Sequence, residues 1–127
     1  MISVAIDGPA GAGKSTIARK AAARLGYLYI DTGALYRAVG LVVLRSGKSP
    51  DREADVASCL PGLLLELGHE DGIQQIYLNG ENVSQDIRAP EVSVAAAKVS
   101  AFPQVRAFLL DRQRDIARKN NVIMDGR

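Results

Sequence analysis

The apolar-leaning run Ile2-Ser3-Val4-Ala5-Ile6 predicts a short strand that feeds into a glycine-rich turn. From Lys14 to Leu25, the apolar residues Ile17, Ala18, Ala21, Ala22 and Leu25 recur at helical spacing, and Gly26 stands where a C-terminal cap belongs. Tyr27-Leu28-Tyr29-Ile30 then reads as a second strand, parallel to the first, because strand, helix and strand in that order form a crossover unit. Asp31 or Thr32 caps the next helix, which runs to about Arg45 with Leu35, Val39, Val42 and Val43 as its inward stripe.

Ser46 to Pro50 is a loop, and Asp51 to Leu67 reads as one or two short helices interrupted at Pro61-Gly62, with Leu63-Leu64-Leu65 in the core. His69 falls in a polar turn and reads as a solvated histidine. Ile73 to Leu78 predicts a strand, Asn79-Gly80 is a strong hairpin signal, and Glu81-Asn82-Val83 is the return strand. Helices follow over Glu91 to Ser100 and from Pro103 to Lys119, the latter with Val105, Phe108, Leu109 and Ile116 turned inward. Val122-Ile123-Met124 predicts a third buried parallel strand, with Asp125 at its carboxyl end.

The expectation is an α/β fold: a P-loop NTPase-like parallel sheet with flanking helices, incomplete at about three core strands, and a small insert containing a β-hairpin. Residues 1–58 and 98–127 form the core in this division, and residues 59–97 the insert. A hairpin in the middle of such a chain belongs outside the main sheet, where it can close over a substrate.

Composition narrows the class only modestly. The 127 residues suit one domain, and 47% apolar content is enough for an ordinary core. A net charge of +2 is too small to argue for nucleic acid as a partner, but leaves room for a basic cleft that takes small anions. Cys59 is the single cysteine, which excludes an internal disulfide and reads as a small core residue. The opening apolar run is too short for a signal peptide and no run approaches ~18 apolar residues, so a cytoplasmic protein without membrane contact is expected.

The chemistry is concentrated in Gly8-Pro9-Ala10-Gly11-Ala12-Gly13-Lys14-Ser15-Thr16, which fits G-x-x-x-x-G-K-[ST] between a strand and a helix. Gly8, Gly11 and Gly13 let the backbone turn tightly and aim its N–H groups at phosphate oxygens. Lys14 reaches the β and γ phosphates, and the Ser15 hydroxyl takes a place on Mg²⁺. The helix starting near Lys14 points its positive end at the same anion. A plain turn between strand and helix is the other reading, but with Gly at about 7% of residues chance seldom assembles all the fixed positions.

Two further positions carry a signal of their own. Arg37, in the first turn of its helix beside the carboxyl edge of a parallel sheet, is placed to meet a second anionic substrate; it also fits an ordinary exposed helix cation. Asp125 at the end of an apolar strand is the usual partner of a phosphate loop, holding Mg²⁺ directly or through water; it also fits a strand-to-turn Asp-Gly.

Taken together, the phosphate loop, Asp31-Thr32-Gly33-Ala34-Leu35-Tyr36-Arg37, Gly80-Glu81-Asn82-Val83, Phe102-Pro103-Gln104-Val105-Arg106, Arg112-Gln113-Arg114 and Asp125-Gly126-Arg127 closely resemble the bacterial cytidylate kinases. The phosphate loop is shared by many families, whereas the blocks around Arg37 and Arg106 are far more specific. The resemblance implies transfer of the ATP γ-phosphoryl to CMP or dCMP with Mg²⁺, as part of pyrimidine nucleotide metabolism. It implies that Tyr36, Arg37 and Arg127 bind the CMP phosphate and that Arg106 addresses the cytosine. Thr32 would lie near the base, Arg88 would help close the monophosphate site, and residues 59–97 would be the family's monophosphate-binding insert.

Two departures qualify this. Ala97 stands where related enzymes can carry a serine that bonds the base, and loss of one hydroxyl partner weakens discrimination by about 1 kcal/mol. Family members also continue past Asp125-Gly126-Arg127 with further strands and an arginine-rich lid. The 127 residues are therefore expected to be part of a longer enzyme or to fold with a partner, to bind nucleotides weakly and to turn over negligibly when taken alone. The first strand, central in a complete sheet, would keep one open edge and favour self-association. Another small-molecule P-loop kinase and a noncatalytic nucleotide-binding module remain the alternative readings.

Overall fold

Short strands form two sheets, and helices pack on them through apolar faces. The computed structural model describes residues 2–6, 14–71 and 73–125, with residues 14, 15 and 125 described through their backbone alone. In chain order the elements begin with β1 (Ser3–Ile6), α1 (Lys14–Leu25), β2 (Leu28–Asp31), α2 (Thr32–Arg45) and α3 (Glu53–Ser58). There follow β3 (Leu65–Glu70), β4 (Ile73–Leu78), β5 (Glu81–Asn82) and a 3₁₀ turn at Asp86–Arg88. The chain then runs through α4 (Pro90–Val99), α5 (Pro103–Lys119) and β6 (Val122–Asp125).

The first sheet is parallel with the order β1-β6-β2, so the last strand in sequence lies in the middle. Val4 pairs with Ile123, and Ile30 with Met124. Successive residues of a strand face opposite sides, and the sheet uses both sides. Ile30 and Val122 enter the larger core with α2 and α5, while Tyr29 and Ile123 pack with Ala18 and Ala22 of α1. Among the described strands β1 has one neighbour, and Val4 is 39% exposed.

Helix α1 has the expected limits, and Gly26 follows it at φ +70°, the left-handed conformation that ends a helix without a Cβ penalty. Of the candidate caps for α2, Asp31 is the one used: its Oδ1 accepts from Ala34 N–H at 3.4 Å. The helix is buried on more than its predicted stripe, because α4 packs on it closely at Gly40. Ala34, Ala38 and Leu41 are all buried, whereas Val42 is half-buried. In α5, Val105, Leu109 and Gln113 are buried, and Phe108 and Ile116 only partly so.

The second sheet corrects the reading of residues 51–67. Only Glu53–Ser58 is helical; from Leu65 the chain is the strand β3, antiparallel to β4 in a sheet of order β3-β4-β5. Leu65, Glu66 and Leu67 alternate, which is the strand period, and a helix could not have placed Leu63 and Leu65 inward while leaving Leu64 48% exposed. His69 accordingly lies in a strand and not in a turn. The hairpin signal holds: Asn79 and Gly80 have φ of 50° and 87°, the two left-handed residues of a two-residue loop, and Leu78 faces Glu81 across it. Asn79 also ties down Leu64, with Leu64 N–H donating to its Oδ1 at 3.0 Å.

No strand of the second sheet joins the ladder of the first among the described residues, yet Leu65, Ile76 and Leu78, with Val83 just after β5, belong to the same buried cluster as Ile30, Leu35 and Val39. Cys59 is half-buried just after α3 and packs against that cluster, its Sγ donating to the Asp55 carbonyl at 3.4 Å. Among the described residues no helix is long and apolar enough to cross a membrane.

Candidate active site

The three carboxyl ends of the first sheet lie side by side, with Asp125 in register with Ile6 on one side and Asp31 on the other. β1 ends at this edge with Ile6, and α1 begins at Lys14. Gly8, Pro9, Ala10, Gly11, Ala12, Gly13 and Arg127 lie outside the described residues, as do the side chains of Lys14, Ser15 and Asp125. Thr16 is exposed on the first turn of α1. Among the described residues no group of three or more His, Cys, Asp or Glu forms a metal cluster.

Beside this edge, a cleft of about 330 Å³ opens between the two sheets, within the usual range for small-ligand pockets. One wall comes from the first sheet and its helices: Arg19 of α1, Tyr29 and Asp31 of β2, Ala34 and Arg37 of α2. The other comes from β4 and the segment after β5, with Gln74, Gln75, Ser84, Gln85 and Arg88. Ile76 and Ile87 give it an apolar floor.

Arg37 lies in the first turns of α2, where long side chains lean toward the N-terminus. Gly33 leaves the cap its place: a Cβ there would stand 3.2 Å from Asp31 Oδ1. Arg19, Arg37 and Arg88 have no ion-pair partner among the described residues, so the cleft holds three guanidinium groups against the single carboxylate of Asp31. A guanidinium presents a planar fork that matches the oxygens of carboxylate or phosphate. Such an arrangement suits a compact, multiply charged anion.

The structure thus brings Arg37 and Arg88 to one cleft and adds Arg19 of α1, which the sequence does not single out. Thr32 is buried at the start of α2, and Tyr36 is half-buried against the larger core; neither lines the cleft. Arg106 is exposed on α5 and also lies outside the lining. Gln74 was not legible as a site residue, because its Oε1 accepts from Asp31 N–H at 2.9 Å across 43 residues of sequence.

Residues 4–127 match the sequence model of the cytidylate kinase family. The chain belongs to the cytidylate kinase family. Among curated relatives, the cytidylate kinase of Caldicellulosiruptor bescii is 48% identical over 126 residues, covering 99% of this chain and 56% of that protein. That of Symbiobacterium thermophilum is 50% identical over 98% of this chain and 55% of its own length. The Lactobacillus johnsonii cytidylate kinase is 44% identical over the whole of this chain and 55% of its own. The chain therefore spans about half the length of the cytidylate kinases it matches. The family match runs through both sheets and the cleft between them.

Proposed function

We propose that the protein transfers the γ-phosphoryl group of ATP to CMP or dCMP, giving ADP and CDP or dCDP. The observation that carries this is the cleft with Arg19, Arg37 and Arg88, beside the start of the phosphate-loop helix, in a chain of the cytidylate kinase family. In this reading Gly8, Pro9, Ala10, Gly11, Ala12, Gly13, Lys14, Ser15 and Thr16 hold the ATP phosphates, with Lys14 as the mobile charge on the β and γ groups. Tyr36, Arg37, Arg88 and Arg127 hold the monophosphate, and Thr32 and Arg106 address the base. Residues 59–97 act as the monophosphate-binding insert on a core of residues 1–58 and 98–127; support comes from the separate antiparallel sheet over β3, β4 and β5.

The transfer asks mainly for positioning and charge stabilisation. Arg37 and Arg88 screen the acceptor phosphate so that two anions approach in line, and a phosphate oxygen is nucleophilic enough near neutral pH without a general base. Kinase reactions of this kind generally use a divalent metal. Ser15, in the first turn of α1, and Asp125, at the carboxyl end of β6, are hard oxygen donors, a set that fits Mg²⁺, which needs few protein ligands. Bound there, Mg²⁺ would neutralise charge developing on the β and γ oxygens. A cytoplasmic setting, where both nucleotides are available, follows from this reading, and so does association of copies through the edge of β1 that has no neighbour among the described strands. Phosphate-loop and acceptor groups do not by themselves make a water-excluding cage around the transferred group, so slow turnover is expected of these residues alone.

Calorimetric titration of the chain with CMP, UMP and AMP, in the presence and absence of a nonhydrolysable ATP analogue, tests the reading. CMP should bind in preference to UMP and AMP, and Lys14→Ala should remove analogue binding while leaving CMP binding in place. Equal binding of the three monophosphates, or none, would refute the assignment.

A further inference from the structure

Among the described strands of the first sheet β2 is an outer one, with β6 on one side of it. Leu28 N–H donates to the Asn121 carbonyl at 2.9 Å on the β6 side, so alternation along the strand turns the main-chain groups of Tyr29 and Asp31 to the opposite side. Two side chains from the second sheet meet them there. His69 Nε2 donates to the Tyr29 carbonyl at 2.9 Å, and Gln74 Oε1 accepts from Asp31 N–H at 2.9 Å. A carbonyl only accepts, so the His69 nitrogen in this contact is the protonated one. His69 and Gln74 are themselves partners across β3 and β4. One donor and one acceptor, carried side by side on a hairpin, thus serve the carbonyl of one residue and the N–H of the residue two further on, which is what a neighbouring strand would do.

We propose that His69 and Gln74 together are positioning residues for the cleft: they replace a strand on the outer edge of β2 and fix the spacing between the cleft's two walls. Asp31, held by Gln74, caps the helix that carries Arg37, and Gln74 is followed on β4 by Gln75 and Ile76 of the facing wall. The other end of the second sheet is tied separately, through Glu81 to Arg45 of α2. The end at His69 and Gln74 is therefore the one that sets how the hairpin bears on the cleft. His69 does not line the cleft, so any influence it has on a bound anion passes through this contact. That the anion is CMP rests on the proposed function; the latch itself does not.

The test uses His69→Leu, which deletes the donor, and His69→Gln, which keeps one, with Gln74→Leu as a companion that deletes the acceptor. His69 is exposed, so its variants should fold, and circular dichroism checks this. Amide exchange at Asp31, read by NMR, should speed up by about tenfold in Gln74→Leu and by a smaller factor in His69→Leu, although His69 does not touch Asp31. CMP affinity should fall about three- to tenfold in His69→Leu with affinity for the ATP analogue unchanged, and His69→Gln should recover most of both effects. Unchanged Asp31 exchange in both leucine variants, or faster exchange with unchanged CMP affinity, would overturn the proposal. If the unmodified chain binds no CMP, the proposed function fails, and the latch is decided by the Asp31 exchange in His69→Leu and its recovery in His69→Gln.

Discussion

A Cβ placed on Gly40 of α2 would stand 3.0 Å from the backbone nitrogen of Ala96 in α4 and 3.1 Å from the Ala95 Cβ. The two helices meet backbone to side chain because there is nothing between them. In an exposed helix Gly→Ala would stabilise by about 1 kcal/mol. Here overpacking opposes that gain, at about 1–3 kcal/mol, and the clash is with main-chain atoms that cannot rotate away. Gly40→Ala should therefore lower the urea midpoint, and Gly40→Val should lower it much further. An increase in midpoint for Gly40→Ala would show that α4 can retreat without loss.

Arg37 is the half-buried guanidinium of the cleft, and Arg88 is exposed at its rim. Arg37→Ala should weaken CMP binding by about tenfold or more, since charge-assisted, forked hydrogen bonds are among the stronger ones. Arg37→Lys should recover only part of this, because an ammonium cannot present the planar fork. Arg88→Ala should cost less and should lose its effect at high salt. Titration calorimetry at low and high salt checks both.

The Asn79-Gly80 turn allows a clean backbone test. Gly80 has φ +87° with nothing within 4 Å of an added Cβ, so Gly80→Ala meets strain and no clash. A loss of about 1 kcal/mol is expected in denaturant unfolding. Asn79→Ala should cost at least as much, since it combines a φ of 50° with loss of the hydrogen bond to Leu64.

Arg45 reaches Glu81 with two hydrogen bonds of 3.0 and 3.3 Å and Asp86 at 3.7 Å. Its side chain is 42% exposed and that of Glu81 58%, so water screens the pair. Glu81→Gln should change stability by less than about 1 kcal/mol, and the difference should shrink further in salt. A larger effect in thermal unfolding would mean that the pair orders more of the hairpin than its geometry suggests.

The elements most legible in the sequence were those whose limits are written in local chemistry. Gly26 ends α1, Asp31 caps α2 and Asn79-Gly80 turns the hairpin. The strand β3 escaped because Leu63-Leu64-Leu65 reads as an undirected apolar run and Gly68 interrupts the alternation. The signal was present in the Asp71-Gly72 dipeptide, a hairpin-turn sequence just ahead of β4, and Asp71 does adopt φ 52°. Arg37 and Arg88 could be singled out from resemblance, but Arg19 could not, since a cation on a helix face carries no mark of what it faces. Gln74 and His69 were beyond reach for a plainer reason: their partners are main-chain groups some forty residues away, and main-chain groups have no letter in a sequence.

The shared cluster beneath the two sheets has a thermodynamic consequence. Because Ile76 and Val83 are packed with Leu35 and Val39, the hairpin region cannot melt ahead of the rest without wetting side chains on both sides of the boundary. Scanning calorimetry of the chain should accordingly trace one endotherm, its van't Hoff and measured enthalpies agreeing, in spite of the division into two hydrogen-bonded ladders. Any opening of the cleft must then be a small swing about a wedged apolar pivot, held short at the end where His69 and Gln74 meet β2.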